Sequence, residues 1–163
     1  MSETEELARQ ALAQCRAAGI MVATAESCTG GMIAAALTDI AGSSAVVDRG
    51  FVTYSNEAKK EMLGVRQETL QAHGAVSGET AREMAIGALH RSRAGIAISV
   101  TGVAGPDGGS QEKPVGLVWF GLARTGQEAV AEKRLFDNRG RAFIRSESVK
   151  VALGMILTAL DSG

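Results

Sequence analysis

The sequence predicts an α/β protein, a three-layer α/β/α sandwich on a mixed, mostly parallel sheet. Three observations lead there. Short apolar runs alternate with helix-patterned stretches along most of the chain, as in strand–helix–strand units. Two later apolar runs flank Arg124-Thr125-Gly126, which reads as an antiparallel hairpin. And a cluster of small polar residues and glycines, Ala25-Glu26-Ser27-Cys28-Thr29-Gly30-Gly31, falls where a strand should end and a helix begin. In open α/β sheets, sites collect at such strand ends.

Each element has its own signal. Leu7, Ala8, Ala11, Leu12 and Cys15 recur at helical spacing, so a first helix runs from about Thr4 to Ala18 and stops at Gly19. Ile20 to Ala25 reads as a buried strand. Gly31 to Ala41 reads as a small-residue helix ended by Gly42-Ser43-Ser44. Ala45 to Tyr54 is a strand with a polar interruption at Asp48-Arg49-Gly50. Asn56 to Leu63 and Gln67 to Ala72 are short helices. Ser77 is an N-cap, followed by a stripe of Ala81, Met84, Ala85, Ala88 and Leu89. Ile96 to Thr101 is an apolar strand entering a loop from Gly102 to Gly109, where glycine and proline cannot continue it. Val115 to Ala123 and Val130 to Phe136 form the hairpin. A final helix spans about Arg141 to Leu160, with Val149, Leu153, Ile156, Leu157 and Leu160 on one face.

At 163 residues the chain is expected to form one domain, over residues 1–163, long enough to bury a proper core. Net charge is −1, so no bulk attraction to nucleic acid or membrane is expected. An anionic substrate would need a local basic site instead. Aromatic residues are 4% of the chain, too few for base-stacking platforms. Cys15 and Cys28 form neither a CxxC pair nor a zinc pattern. With no disulfide framework and an acidic N-terminus lacking a signal-peptide core, a cytoplasmic location is expected. No apolar run approaches membrane-spanning length. A homo-oligomer is left open.

The junction at residues 25–31 carries the chemistry. A helix N-terminus presents unpaired N–H groups and partial positive charge, which suits an anionic ligand or a developing oxyanion. Ser27 and Cys28 are both candidate nucleophiles. Neighbours on an extended segment point oppositely, which favours Ser27 for the site and a packed role for Cys28. Thr29, Gly30 and Gly31 would line the ligand. Glu26 would orient the loop or meet ligand hydroxyls; the plain alternative is a surface carboxylate. The Gly102–Gly109 loop, including Gly105, allows close backbone approach to a ligand, or is a flexible turn. Arg141 and Arg145 share one helical face near a helix start, a reasonable phosphate clamp; a surface pair is the alternative, most of all for Arg145. His90 reads as a helix C-terminal dipole partner. His73 precedes a turn, and a Ser27–His73–acid triad is conceivable.

Five blocks occur in order: Ala25-Glu26-Ser27-Cys28-Thr29-Gly30-Gly31; Gly50-Phe51-Val52-Thr53-Tyr54-Ser55-Asn56; Lys59; His73-Gly74-Ala75-Val76-Ser77; and Thr101-Gly102-Val103-Ala104-Gly105-Pro106-Asp107-Gly108-Gly109. This set closely resembles the CinA C-terminal domain family, the nicotinamide-nucleotide amidases, from about Leu7 to Leu160. The resemblance implies hydrolysis of the carboxamide of nicotinamide mononucleotide to nicotinic acid mononucleotide and ammonia. It implies a Ser-Lys pair, at Ser27 and Lys59, with no metal and no cofactor. Tyr54, as a further catalytic residue, and Thr101 and Arg141, as substrate-binding residues, also match positions of the family's site. Two-domain relatives carry an N-terminal pyrophosphatase-type domain, which this chain is expected to lack.

A serine hydroxyl is inert at neutral pH without a base. An exposed lysine, with a pKa of about 10.4, is protonated and cannot serve. Lys59 therefore needs burial or a neighbouring cation; without either it is a solvated surface lysine, as Lys60 is expected to be. The alternative function is a pyridine-nucleotide-binding module without turnover, which would not require the Ser27–Lys59 pair. A competence or DNA-recombination role, suggested by the family's name alone, sits poorly with neutral charge and scarce aromatics.

Overall fold

The computed structural model describes residues 2–161. Strand β1 (Val22–Glu26) lies between β2 (Val47–Val52) and β3 (Ile96–Gly102) and is parallel to both. The hairpin strands β4 (Leu117–Arg124) and β5 (Val130–Leu135) add antiparallel pairings, giving the order β2-β1-β3-β4-β5. Among the described strands, β4 alone runs against the rest.

Alternation along the strands sorts large side chains to one face and small ones to the other. Val22, Ile96, Ile98, Val100, Val118, Phe120 and Leu122 belong to a core with α1 (Glu3–Ala18), α2 (Met32–Thr38) and α6 (Arg141–Asp161). Ala23, Ala25 and Ala97 face the opposite core, which Leu63, Leu70, Met84 and Ala88 complete. There α3 (Asn56–Leu63), α4 (Gln67–His73) and α5 (Gly78–His90) cover the sheet. Small strand residues let α5 ride close. Gly121 leaves no room for a Cβ against the Ala81 carbonyl. Ser99 Oγ donates to that same carbonyl at 2.6 Å.

Local signals set most boundaries. The Ser2, Ser55 and Ser77 side chains accept from Glu5, Ala58 and Thr80 N–H groups at the starts of α1, α3 and α5. Gly19 and Gly64 close α1 and α3 in left-handed conformation. Two expectations change. Helix α2 ends at Thr38 rather than Ala41: the Thr38 hydroxyl bonds back to the Ala34 and Ala35 carbonyls, and the chain turns through Gly42 at φ 87° into a 3-10 turn at Ser43–Ala45. The strand therefore begins at Val47, not Ala45. Its polar interruption is a bulge, since Val22 pairs with Val47 and Ala23 with Arg49, leaving Asp48 over. The Asp48 carboxylate accepts from the Arg93 backbone N–H above all, and from the Arg49 and Arg93 side chains, which hold its pKa below the usual carboxylate range.

Candidate active site

Ser27 follows the last residue of β1, so the sheet aims it. Its N–H donates to the Val100 carbonyl on β3 at 2.9 Å, and its carbonyl accepts from the Gly30 N–H at 3.0 Å. That tight reversal needs positive φ, 57° at Gly30 and 107° at Gly31, which glycine adopts without strain.

Lys59 comes from the other side. Ser55 starts α3, and one turn later Lys59 turns inward, only 1% exposed. Its Nζ donates to Ser27 Oγ at 2.9 Å, to the Thr53 carbonyl at 2.9 Å and to the Tyr54 carbonyl at 3.4 Å. Among the described residues no carboxylate pairs with it. Burial lowers its pKa from 10.5 to about 8, with nearby Cys28 acting weakly in the opposite direction. A lysine so placed can shed its proton near neutrality while touching a hydroxyl.

The pair opens into a cleft of about 310 Å³, within the range of small-molecule sites. Tyr54 and Arg141 form one wall. The Arg141 Nη2 donates to the Tyr54 hydroxyl at 3.0 Å, and its Nη1 donates to the Gly105 carbonyl at 2.7 Å. Thr101 also lines the cleft, its hydroxyl donating to the Ala75 carbonyl at 2.9 Å. Among the described residues, no cluster of three or more His, Cys, Asp or Glu is set to hold a metal.

Residues 4–160 match the CinA C-terminal domain family. This chain belongs to the CinA C-terminal domain family. The nicotinamide-nucleotide amidohydrolase PncC of Escherichia coli (strain K12) is 53% identical over 152 residues, covering 93% of this chain and 92% of that protein. A protein of the same name from Enterobacter agglomerans is 57% identical over 132 residues, covering 81% and 80%. The crystal structure of competence/damage inducible protein CihA from Agrobacterium tumefaciens superposes with a TM-score of 0.95 at 55% identity, covering 99% of this chain and 97% of that one.

Within this CinA C-terminal domain, the fold brings Ser27, Lys59, Tyr54, Thr101, Gly105 and Arg141 to one cleft. It does not bring Glu26, Thr29, Gly30, Gly31 or Arg145 to that lining. Glu26 is neither a surface carboxylate nor a cleft residue. Fully buried, it accepts from Thr29 Oγ1 at 2.6 Å and from the Ile33 and Ala34 N–H groups at 2.9 and 3.0 Å. Those N–H groups at the start of α2 were expected to face a ligand; the side chain of Glu26 already fills the place. Arg145 is likewise turned to backbone, donating to the Cys28 and Thr29 carbonyls at 3.0 and 3.3 Å.

Cys28 borders the cleft but packs in the core under α2 and α6, where burial pushes its thiol up to about 11. His73 lies outside the cleft, its Nδ1 3.8 Å from a Glu79 oxygen. Two polar lining side chains, Asn56 and Asp107, are not among the residues the sequence singles out. Both sit inside the motif blocks, each a polar side chain two positions after a residue placed in the site, Tyr54 and Gly105.

Proposed function

We propose that this protein is a nicotinamide-nucleotide amidohydrolase, converting nicotinamide mononucleotide and water to nicotinic acid mononucleotide and ammonia. The 53–57% identity to proteins of that name over most of the chain supports the activity. The reading takes the chain as a single amidohydrolase domain acting in the cytoplasm on a small nucleotide, with no cofactor or metal.

The 2.9 Å bond between Lys59 and Ser27 carries the mechanism. Neutral Lys59 takes the Ser27 proton as Oγ attacks the carboxamide carbon. Lys59 then returns that proton to the amide nitrogen, the C–N bond breaks and ammonia leaves. Water, deprotonated by Lys59, attacks the resulting ester and releases the carboxylate and Ser27. With a pKa of about 8, on the order of a tenth of Lys59 is neutral at pH 7, against fewer than one in a thousand for an exposed lysine. Arg141 offers the cleft a cation for the phosphate, steadied by Tyr54 and Gly105. A binding module without turnover gives no reason to bury an unpaired lysine against a serine, since that burial is costly.

The test is ammonia release by purified, chelator-treated protein given nicotinamide mononucleotide. Wild type and Cys28→Ala should release it, and Ser27→Ala should not. Nucleotide binding without ammonia would favour the module instead. An inactive Cys28→Ala beside an active Ser27→Ala would reverse the nucleophile.

A further inference from the structure

We propose that Arg145 and Glu26 are positioning residues for the nucleophile, clamping the Ser27–Thr29 turn from two sides without touching the nucleotide. The proposal rests on Ser27 being the nucleophile of the amidohydrolase reading.

The contacts define the clamp. From α6, the planar guanidinium of Arg145 spans two successive carbonyls, Cys28 and Thr29, directly after Ser27. It approaches the turn so closely that a Cβ on Gly30 would stand 3.4 Å from its Nη2. From within, Glu26 ties the Thr29 hydroxyl and the first N–H groups of α2 together, with both carboxylate oxygens engaged. Ser27 itself is held through its N–H to Val100 and its carbonyl to Gly30. Peptide planes are rigid, so fixing these carbonyls and N–H groups fixes the Ser27 Cα–Cβ direction. One staggered position of Oγ then lies 2.9 Å from Lys59 Nζ. A shift of about 1 Å in a reacting atom costs on the order of 100-fold in rate.

The first turn of α6 thus divides its two arginines. Arg141 faces the cleft, whereas Arg145, one turn on, faces the backbone behind the nucleophile. Losses at Arg141 should appear in KM. Losses at Arg145 should appear in kcat.

Arg145→Met keeps the aliphatic stem and removes the fork; Arg145→Lys keeps a donor that reaches one carbonyl. Three readouts are needed: steady-state ammonia release, the Kd of nicotinic acid mononucleotide by calorimetry, and the rate at which a fluorophosphonate probe labels Ser27. In Arg145→Met, kcat and the labelling rate should both fall by about 10- to 100-fold, with Kd changed less than about two-fold. Arg145→Lys should recover part of the loss, and Glu26→Gln should show the same split. Normal kcat and labelling in the folded Arg145→Met protein, with only a lower Tm, would reduce the clamp to a stabilising contact and overturn it. So would a Kd weakened ten-fold or more at unchanged labelling, which would make Arg145 a nucleotide ligand. Labelling separates this proposal from the substrate reading. If wild type labels at Ser27 yet releases no ammonia, the substrate assignment fails while the labelling ratio still decides the clamp. Wild type that does not label at Ser27 overturns the clamp.

Discussion

Lys59 Nζ lies 2.9 Å from Ser27 Oγ, although 32 residues separate them along the chain. Parallel pairing of β1 with β2 makes the meeting possible. It carries the chain from the Ser27 turn through α2 and back to the same sheet end, where α3 starts.

The first prediction concerns the rate. The base must be neutral, so kcat/KM should rise with pH and level off near the Lys59 pKa of about 8. Lys59→Arg keeps a cation that cannot deprotonate usefully and should be nearly as inactive as Lys59→Ala. Lys60→Ala should keep most activity, because Lys60 pairs on the surface with Glu57 and Gln67. Steady-state kinetics across pH checks this. An active Lys59→Arg enzyme with an unshifted profile would exclude the base role.

A second prediction concerns stability. The folded pKa of Lys59, about 8, lies below its ordinary 10.5, so between those values the unfolded chain binds more protons. Stability from this group therefore rises with pH across that window. Below pH 8 both states are protonated, and the folded state bears the whole cost of the buried charge, on the order of 3 kcal/mol. Lys59→Met removes that cost but leaves the Thr53 and Tyr54 carbonyls without their donor, a loss of about 1–3 kcal/mol. The slope is the clean readout. The stability of Lys59→Met minus wild type should fall steadily between pH 8 and 10 in denaturant titrations. A flat difference would mean that Lys59 is not titrating in that range.

At the cleft wall, Arg141→Ala should raise KM by about 10- to 100-fold with a smaller effect on kcat, as expected for losing a charge-assisted contact. Tyr54→Phe removes the hydroxyl that accepts from Arg141 and should raise KM less. Kinetics with nicotinamide mononucleotide tests both. An Arg141→Ala enzyme with normal KM would move the phosphate site elsewhere.

Two glycines should respond in opposite ways. Gly121→Ala would drive a methyl into the Ala81 carbonyl and to within 2.5 Å of Ser99 Oγ, forcing α5 off the sheet. A cost of about 1–3 kcal/mol is expected, lowering Tm by several degrees. Gly154, inside α6, has nothing within 4 Å of a built Cβ, so Gly154→Ala should stabilise by about 0.5–1 kcal/mol. Thermal unfolding of the two variants checks both expectations.

Much of the fold is legible in the residues themselves. The span of α3, Asn56–Leu63, follows from Ser55 and Gly64 at its ends, because caps act over three or four residues. The β4–β5 hairpin follows from alternation around a Gly turn. Less legible were the end of α2, where a Thr38 side chain competes for backbone carbonyls, and the Asp48 bulge, which exists only in the pairing of two strands. Glu26 and Arg145 could be placed near the site by position but not assigned partners. A carboxylate beside a helix start caps it or faces a ligand depending on which side of the strand it leaves.

Residue order alone is enough to read the main helices and strands, their succession and the site's chemical inventory. These depend on local spacing, caps and turn chemistry, and on motif blocks read residue by residue. Packing is what buries Lys59 and draws its pKa down toward neutrality, sets it against Ser27, and turns Arg145 to backbone while Arg141 faces the cleft. The physical reason is that desolvation and hydrogen-bond geometry depend on atoms brought together from distant parts of the chain. A lysine's proton affinity is set by the water it has lost, and that loss belongs to the packed sheet, helices and turns around it.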